Sequence, residues 1–145
     1  MVNTGLRLSD ALRLTYSDLQ RGWIVEGKTG FIKPIRLSAP PKPAGQRSDF
    51  VTANPRTDKP YNRATVSRAY SRAAHHLHFP VPFGAHSARK MYALHVYEDT
   101  GDLHLVQLAL NHKYLSTTLL YIWGHPHITK EGSVVTYGIN PRKLG

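Results

Sequence analysis

Val66, Ala69, Tyr70, Ala73, Ala74 and Leu77 recur at spacings of 3, 4, 7 and 8 residues, with Arg63, Arg68 and Arg72 off that stripe. Only a helix puts such positions on one face, so the spacing predicts a helix from Asn62 to about His78. Phe79-Pro80-Val81-Pro82-Phe83-Gly84 ends it. A further helix is expected from His86 to Tyr97, closed by Thr100-Gly101. Asp102 is expected to cap a short helix, Leu103 to Leu110, whose apolar character on most sides predicts burial. Asn111-His112-Lys113 reads as a turn, and Ser116 as the cap of a helix over Thr117 to Ile122.

Upstream the signals are shorter. Ser9 is the expected N-cap of a first helix with Leu8, Ala11 and Leu12 on its apolar face, and Ser17-Asp18 closes that segment. Trp23 to Glu26 reads as a strand, Gly27-Lys28-Thr29-Gly30 as a turn and Phe31 to Leu37 as a second strand, which together make a β-hairpin. Pro34 inside the second strand predicts an edge position. Residues 38–61, with Pro40-Pro41-Lys42-Pro43 and Gly45, read as loop, and residues 123–145 as a tail without a firm pattern. The expected fold class is α+β, mainly α-helical with a small antiparallel hairpin, and 145 residues suit one core.

The chain has no cysteine, which excludes disulfide scaffolds, thiol nucleophiles and cysteine-based zinc sites. No run approaches the length of a transmembrane helix, and the start lacks the apolar stretch of a signal peptide, so a cytoplasmic, nucleoid-associated location is expected. The formal charge is +10, from 19 Lys and Arg against 9 Asp and Glu. Such an excess points to a polyanion, with nucleic acid the leading candidate because each phosphate contact releases counterions. A membrane surface would need an amphipathic basic helix, and no strong one is present. A solvated basic face without a partner is the competing reading. The charge is uneven: residues 1–78 hold thirteen Lys and Arg against five Asp and Glu, whereas residues 79–145 hold six against four.

Three segments are chemically unusual. Thr4-Gly5-Leu6-Arg7-Leu8-Ser9-Asp10-Ala11-Leu12 sets an arginine after a glycine turn and before a helix. His86-Ser87-Ala88-Arg89 puts imidazole and guanidinium on one helical face. Leu110-Asn111-His112 is followed by Thr117-Thr118-Leu119-Leu120-Tyr121, with a tyrosine nine residues after the histidine. These segments resemble, in order, the first box, the His-x-x-Arg box and the Leu-Gly-His…Thr-Thr-x-x-Tyr box of the tyrosine recombinases, the phage-integrase superfamily. Gly27-Lys28-Thr29-Gly30 resembles the family's lysine hairpin. The resemblance covers about residues 2–122, which are expected to form the catalytic domain, with 123–145 as its tail. Two residues depart from the pattern or compete within it. Asn111 stands where the family has glycine, and Lys33 rivals Lys28. Family members also carry an upstream helical core-binding domain and a helix before the first box. The chain starts almost at that box, so an N-terminally truncated catalytic domain is expected.

The resemblance implies site-specific DNA recombination or integration through a 3′-phosphotyrosyl intermediate, with no cofactor and no metal. Tyr121 is then the nucleophile, His86 its base, Lys28 the acid for the leaving 5′-oxygen, and His112 a donor to a non-bridging oxygen. Arg7 and Arg89 also suit the task on physical grounds, since charge grows on the phosphate oxygens and a guanidinium donates two parallel hydrogen bonds to them. Asp10 is expected to orient a cationic partner from behind. Lys33, Arg36, Arg63, Arg68, Arg72 and Lys113 are candidate contacts to double-stranded DNA, with a solvated face as the alternative for the three helical arginines. The resemblance also implies a homo-oligomer on DNA, a tetrameric synapse. His75, His76, His78, His125 and His127 form no zinc-binding pattern. The competing functions are a DNA-binding remnant without catalysis and a type IB topoisomerase, which shares the chemistry but relaxes supercoils.

Overall fold

The computed structural model describes residues 1–38 and 40–123, and the backbone of two further short strands. Its elements run α1 (Leu8–Arg13), α2 (Tyr16–Arg21), β1 (Trp23–Val25), β2 (Ile32–Pro34), α3 (Arg63–His76), α4 (Ala85–Thr100), α5 (Leu103–Leu110), α6 (Leu115–Trp123), β3 (His127–Ile128) and β4 (Val134–Val135). The chain is mainly helical with a small antiparallel hairpin, in which Ile24 pairs with Lys33. The second pair, β3 with β4, is also antiparallel. The rest of the expected tail after Trp123, His125 included, lies outside the described residues.

Several local expectations change. Arg7, not Ser9, is the N-cap of α1, and no side chain caps that helix. The helix therefore starts two residues, about half a turn, earlier, and Asp10 is buried in it. Ser17-Asp18 does not close a segment but lies inside α2. Thr15 caps that helix, and Thr15 and Asp18 form a reciprocal capping box with Thr15 Oγ1 accepting from Asp18 N at 3.0 Å. Ser116 likewise lies within α6 and is not its cap. Each strand of the β1–β2 hairpin is three residues long, shorter than expected. Helix α3 forms where expected: Asn62 caps it, Oδ1 accepting from Thr65 N at 2.8 Å, and Arg63, Arg68 and Arg72 are exposed, but of its expected apolar face only Ala74 is buried, while Ala69, Ala73 and Leu77 are exposed. Asp102 caps α5 through His104 N at 2.7 Å. That helix is buried on one side only, at Val106 and Leu110, while Leu108 is 70% exposed. Residues 38–61 are tied down where described: Asp49 accepts from the Ser17 amide at 3.1 Å, and Val51 N donates to Leu14 O at 2.9 Å.

Two apolar cores result. Leu6, Leu14, Leu19, Ile24 and Ile35 form one, around α1, α2 and the hairpin. Ala93, Leu94, Val106, Leu110 and Ile122 form the other, between α4, α5 and α6. Arg7, Lys33, Arg89, His112 and Tyr121, among the groups singled out in the sequence, lie along the seam between them.

Candidate active site

Arg89 is the strut across that seam. It is 3% exposed, and its guanidinium donates to Gly5 O on one side and to Leu110 O at 2.7 Å on the other. The Gly5 conformation makes this possible. Its φ is +61°, and a Cβ there would sit 2.3 Å from Tyr92 Cδ1. Glycine is therefore required twice, by backbone and by space. The turn presents the Gly5 carbonyl inward and delivers Arg7 two residues later.

Glu26 is the centre of the cluster, and sequence reasoning missed it. It is 0% exposed. Its Oε2 accepts from Arg7 Nη1 at 2.8 Å, Thr29 Oγ1 at 3.0 Å and Asn111 Nδ2 at 3.1 Å. Its Oε1 lies 3.8 Å from Arg89 Nη1 and makes no hydrogen bond. A buried carboxylate needs such partners, because the desolvation of an unpaired charge costs several kcal/mol (about 3–5 where one partner is removed). The available signal was the strand alternation: Ile24 is buried, Val25 exposed and Glu26 buried, so the acid faces the core.

The two lysines separate. Lys28 is exposed on the hairpin turn, outside the cluster. Lys33 is 4% exposed, donates to Ala109 O and lies 5.5 Å from the Tyr92 ring centre. Burial, then the neighbouring Arg89 charge, push its pKa down to about 8. Asp10 is buried and turns away from Arg7: its Oδ1 accepts from Arg13 Nη2 at 2.7 Å and from Gly27 N at 3.0 Å. Its cation is thus Arg13, and its second bond holds the residue between Glu26 and Lys28.

The α4–α6 side supplies, besides Arg89, a tyrosine and two imidazoles. Tyr121 lies between two imidazoles, with ring centres 4.9 Å from His86 and 5.3 Å from His112, both edge-on. Its hydroxyl is 3.5 Å from His86 Nδ1. Burial pushes the phenol pKa up, and Arg89 opposes that by its charge and a hydrogen bond. His112 follows Asn111, which sits at φ 49° and ψ 47° as the left-handed cap of α5. His112 Nδ1 lies 3.1 Å from the hydroxyl of Thr118, a buried residue also missed from sequence. Burial, then Arg89, lower the His112 pKa to about 4, so the ring is neutral at pH 7. In the tautomer in which Thr118 donates to Nδ1, Nε2 carries the proton and is a donor.

The structure therefore brings Arg7, Lys33, Arg89, His112 and Tyr121 together, with His86 at the edge of Tyr121. Lys28 sits on an anchored turn beside them. Arg36, Arg63, Arg68, Arg72 and Lys113 are exposed and outside the cluster. An open depression lined by Phe31, His104, Gln107, Leu108, Asn111 and His112 borders it. Among the described residues, no group of acidic or histidine side chains is placed to hold a metal ion, and no helix is long and apolar enough to cross a membrane.

Two buried-to-half-buried guanidinium groups, a tyrosine between histidines and a lysine hairpin thus lie together on a helical scaffold. The family profile described as "Phage integrase family" matches residues 1–126. The chain is 30% identical over 131 residues to the "Probable integrase/recombinase YoeC" of Bacillus subtilis (strain 168), spanning 83% of this chain and 72% of that protein. It is 27% identical over 133 residues to the "Putative integrase/recombinase y4qK" of Sinorhizobium fredii (strain NBRC 101917 / NGR234), spanning 81% of this chain and 42% of that one. Among solved structures, the XerH site-specific recombinase bound to difH substrate, in its pre-cleavage complex, superposes with a TM-score of 0.63 at 26% identity, over 83% of this chain and 39% of that one. A lambda integrase dimer bound to a COC′ core site gives a TM-score of 0.64 at 22% identity, over 83% of this chain and 48% of that one. The chain belongs to the phage integrase family, and it spans less than half of the length of these solved relatives.

Proposed function

We propose that this chain carries the catalytic centre of a tyrosine-type site-specific recombinase that breaks and rejoins double-stranded DNA. The observation that carries the reading is the convergence of Arg7, Arg89, His112 and Tyr121 across the seam, together with the family match. Tyr121 Oη attacks the phosphorus, a phosphotyrosyl bond forms at the 3′ side, and the bond to the 5′-oxygen breaks. The phenolic proton passes to His86, whose Nδ1 faces the hydroxyl. Arg7, Arg89 and the Nε2 proton of His112 stabilise the charge that builds on the non-bridging oxygens. Lys28, exposed on its turn, protonates the departing 5′-oxygen, and Lys33 supplies a fixed charge from inside. The bond energy stays in the phosphotyrosyl link, so the resealing attack by a 5′-hydroxyl needs no nucleotide.

The exposed Arg36, Arg63, Arg68, Arg72 and Lys113 support DNA contact, and Asp10 acts from behind through Gly27. Assembly as a homo-oligomer on DNA and a location with the nucleoid follow from this reading. Residues 1–122 would then be the catalytic unit, with 123–145 its tail.

The test uses a pool of nicked suicide duplexes with a randomised core, incubated with the protein and selected for a denaturant-stable adduct. Tyr121→Phe should abolish the adduct, and EDTA should leave it unchanged. An adduct that survives in Tyr121→Phe would remove Tyr121 from its role. Relaxation of supercoiled plasmid without sequence preference would favour the topoisomerase reading, and salt-sensitive binding with no adduct the non-catalytic one. A duplex with sulfur as the bridging 5′ leaving atom needs no acid. It should restore cleavage to Lys28→Ala, and restoration of Lys33→Ala instead would transfer the acid to Lys33.

A further inference from the structure

Asn111 replaces a glycine of the family pattern, and its left-handed backbone accounts only for why asparagine is tolerated there. Its side chain does something glycine cannot. Asn111 Nδ2 donates at 3.1 Å to Glu26 Oε2, a residue 85 positions earlier in the chain. That oxygen also receives Arg7 and Thr29, at 2.8 Å and 3.0 Å, while Oε1 receives no hydrogen bond and faces Arg89 at 3.8 Å. The carboxylate is thus satisfied on one oxygen only. Both Glu26 and Arg89 are buried, so their attraction is weakly screened and draws them toward a two-point pair. Such a pair would spend the Arg89 fork on the protein's own acid. The three donors on Oε2 hold the carboxylate back.

We propose that Asn111 and Glu26 are a positioning pair for recombination: Asn111 pins Glu26 against Arg7 Nη1 and keeps it off Arg89, which leaves the rest of the Arg7 fork and the Arg89 N–H groups not given to Gly5 O and Leu110 O for a phosphate. This deepens the recombinase reading and rests on it for its catalytic consequence. The same carboxylate also joins the two sides of the site, because Asn111 precedes His112 and Thr29 follows Lys28.

The test compares Asn111→Gly, Asn111→Asp and Glu26→Gln. Asn111→Gly keeps the backbone conformation and removes only the donor. With a duplex that the wild type cleaves, its single-turnover cleavage rate should fall about tenfold, in line with loss of one hydrogen bond to a charged group. Its DNA affinity should hold, and its melting temperature should not drop. Asn111→Asp sets two carboxylates together and should cost about a hundredfold, as misplaced catalytic groups do. Glu26→Gln removes the attraction that Asn111 opposes, so adding Asn111→Gly to it should change the rate no further. Additive losses, or a slower Asn111→Gly that melts earlier in proportion, would overturn the pair. A second readout needs no cleavage: in the arginine Nε–H NMR spectrum, Asn111→Gly should move the Arg89 resonance and leave that of Arg13, which pairs with Asp10, in place. An unmoved Arg89 signal overturns the proposal. A moved signal in a protein whose wild type forms no adduct would support the pair and count against the recombinase reading alone.

Discussion

The two cores differ in how they hold their part of the site. Around α1, α2 and the hairpin, helices are six residues long and strands three, and much of the order comes from side-chain bonds such as the Thr15–Asp18 box and the Asp49–Ser17 contact. Between α4, α5 and α6 the helices run to 16, 8 and 9 residues and pack through fully buried Ala93, Val106, Leu110 and Ile122. The first region delivers charge: Arg7, Glu26, Lys28 and Lys33. The second delivers Tyr121 and His112, both neutral at pH 7, and Arg89, the one cation of the site that it supplies. On the proposed recombinase reading, apolar packing aims the tyrosine and the short, hydrogen-bonded region presents the cations to the phosphate. Hydrogen bonds that stitch the two together include Arg89 to Gly5, Lys33 to Ala109, and Asn111 to Glu26.

Removing the strut is the strongest way to break this division. Arg89→Ala leaves Glu26 short of a counter-charge and two buried carbonyls without a donor. It should cost about 3–5 kcal/mol in chemical denaturation, besides ending adduct formation. An Arg89→Ala that kept full stability would mean that the two cores do not depend on it. Gly5→Ala tests the same joint from the other side. A positive φ and a methyl pressed into Tyr92 should together cost about 3 kcal/mol, again read by denaturation, without touching any reacting group.

Lys33 gives a smaller effect with a pH signature. Its folded pKa, about 8, is below the usual 10.5, so between those values the unfolded chain binds more protons than the folded one. The penalty for its charge is fully present below pH 8 and is relieved as pH rises toward 10.5. Lys33→Met should therefore raise stability by about 1 kcal/mol at pH 7, with the gain fading toward pH 10.5, as followed by melting temperature. A gain that persisted at high pH would assign the effect to packing. The smallest effect is expected outside both cores. Arg68→Gln on exposed α3 should leave stability within about 0.5 kcal/mol and reduce the salt slope of DNA binding by about one. An unchanged slope would make that helix face merely solvated.

Much of the helical region was legible because its signals are periodic. The extent of α3, Asp102 as a cap and Asn111 as a left-handed stop all follow from local rules, whereas the stripe of α3 stays largely exposed, with Ala74 alone buried. Burial of α5 was overestimated because composition cannot tell which face meets a neighbour, and Leu105 and Leu108 meet none that covers them. Ser9 and Ser17 in the short-helix region, and Ser116 at α6, each looked like a boundary. Several serines and threonines compete for such roles, and the folded chain uses others: Thr15 caps α2, and Ser17 lies inside that helix and donates to Asp49.

By itself the sequence determined that the chain is a basic, cysteine-free, mainly helical domain carrying the arginine, histidine and tyrosine boxes of its family in order. Those are properties of neighbours along the chain: spacing, capping and charge. Tertiary structure alone decided that Glu26 is the hub, that Lys33 is buried while Lys28 is exposed, and that Asn111 and Thr118 serve the site. The physical reason is distance in sequence. A buried carboxylate is defined by the donors that converge on it, and here those donors come from positions 7, 29 and 111, which no local pattern relates.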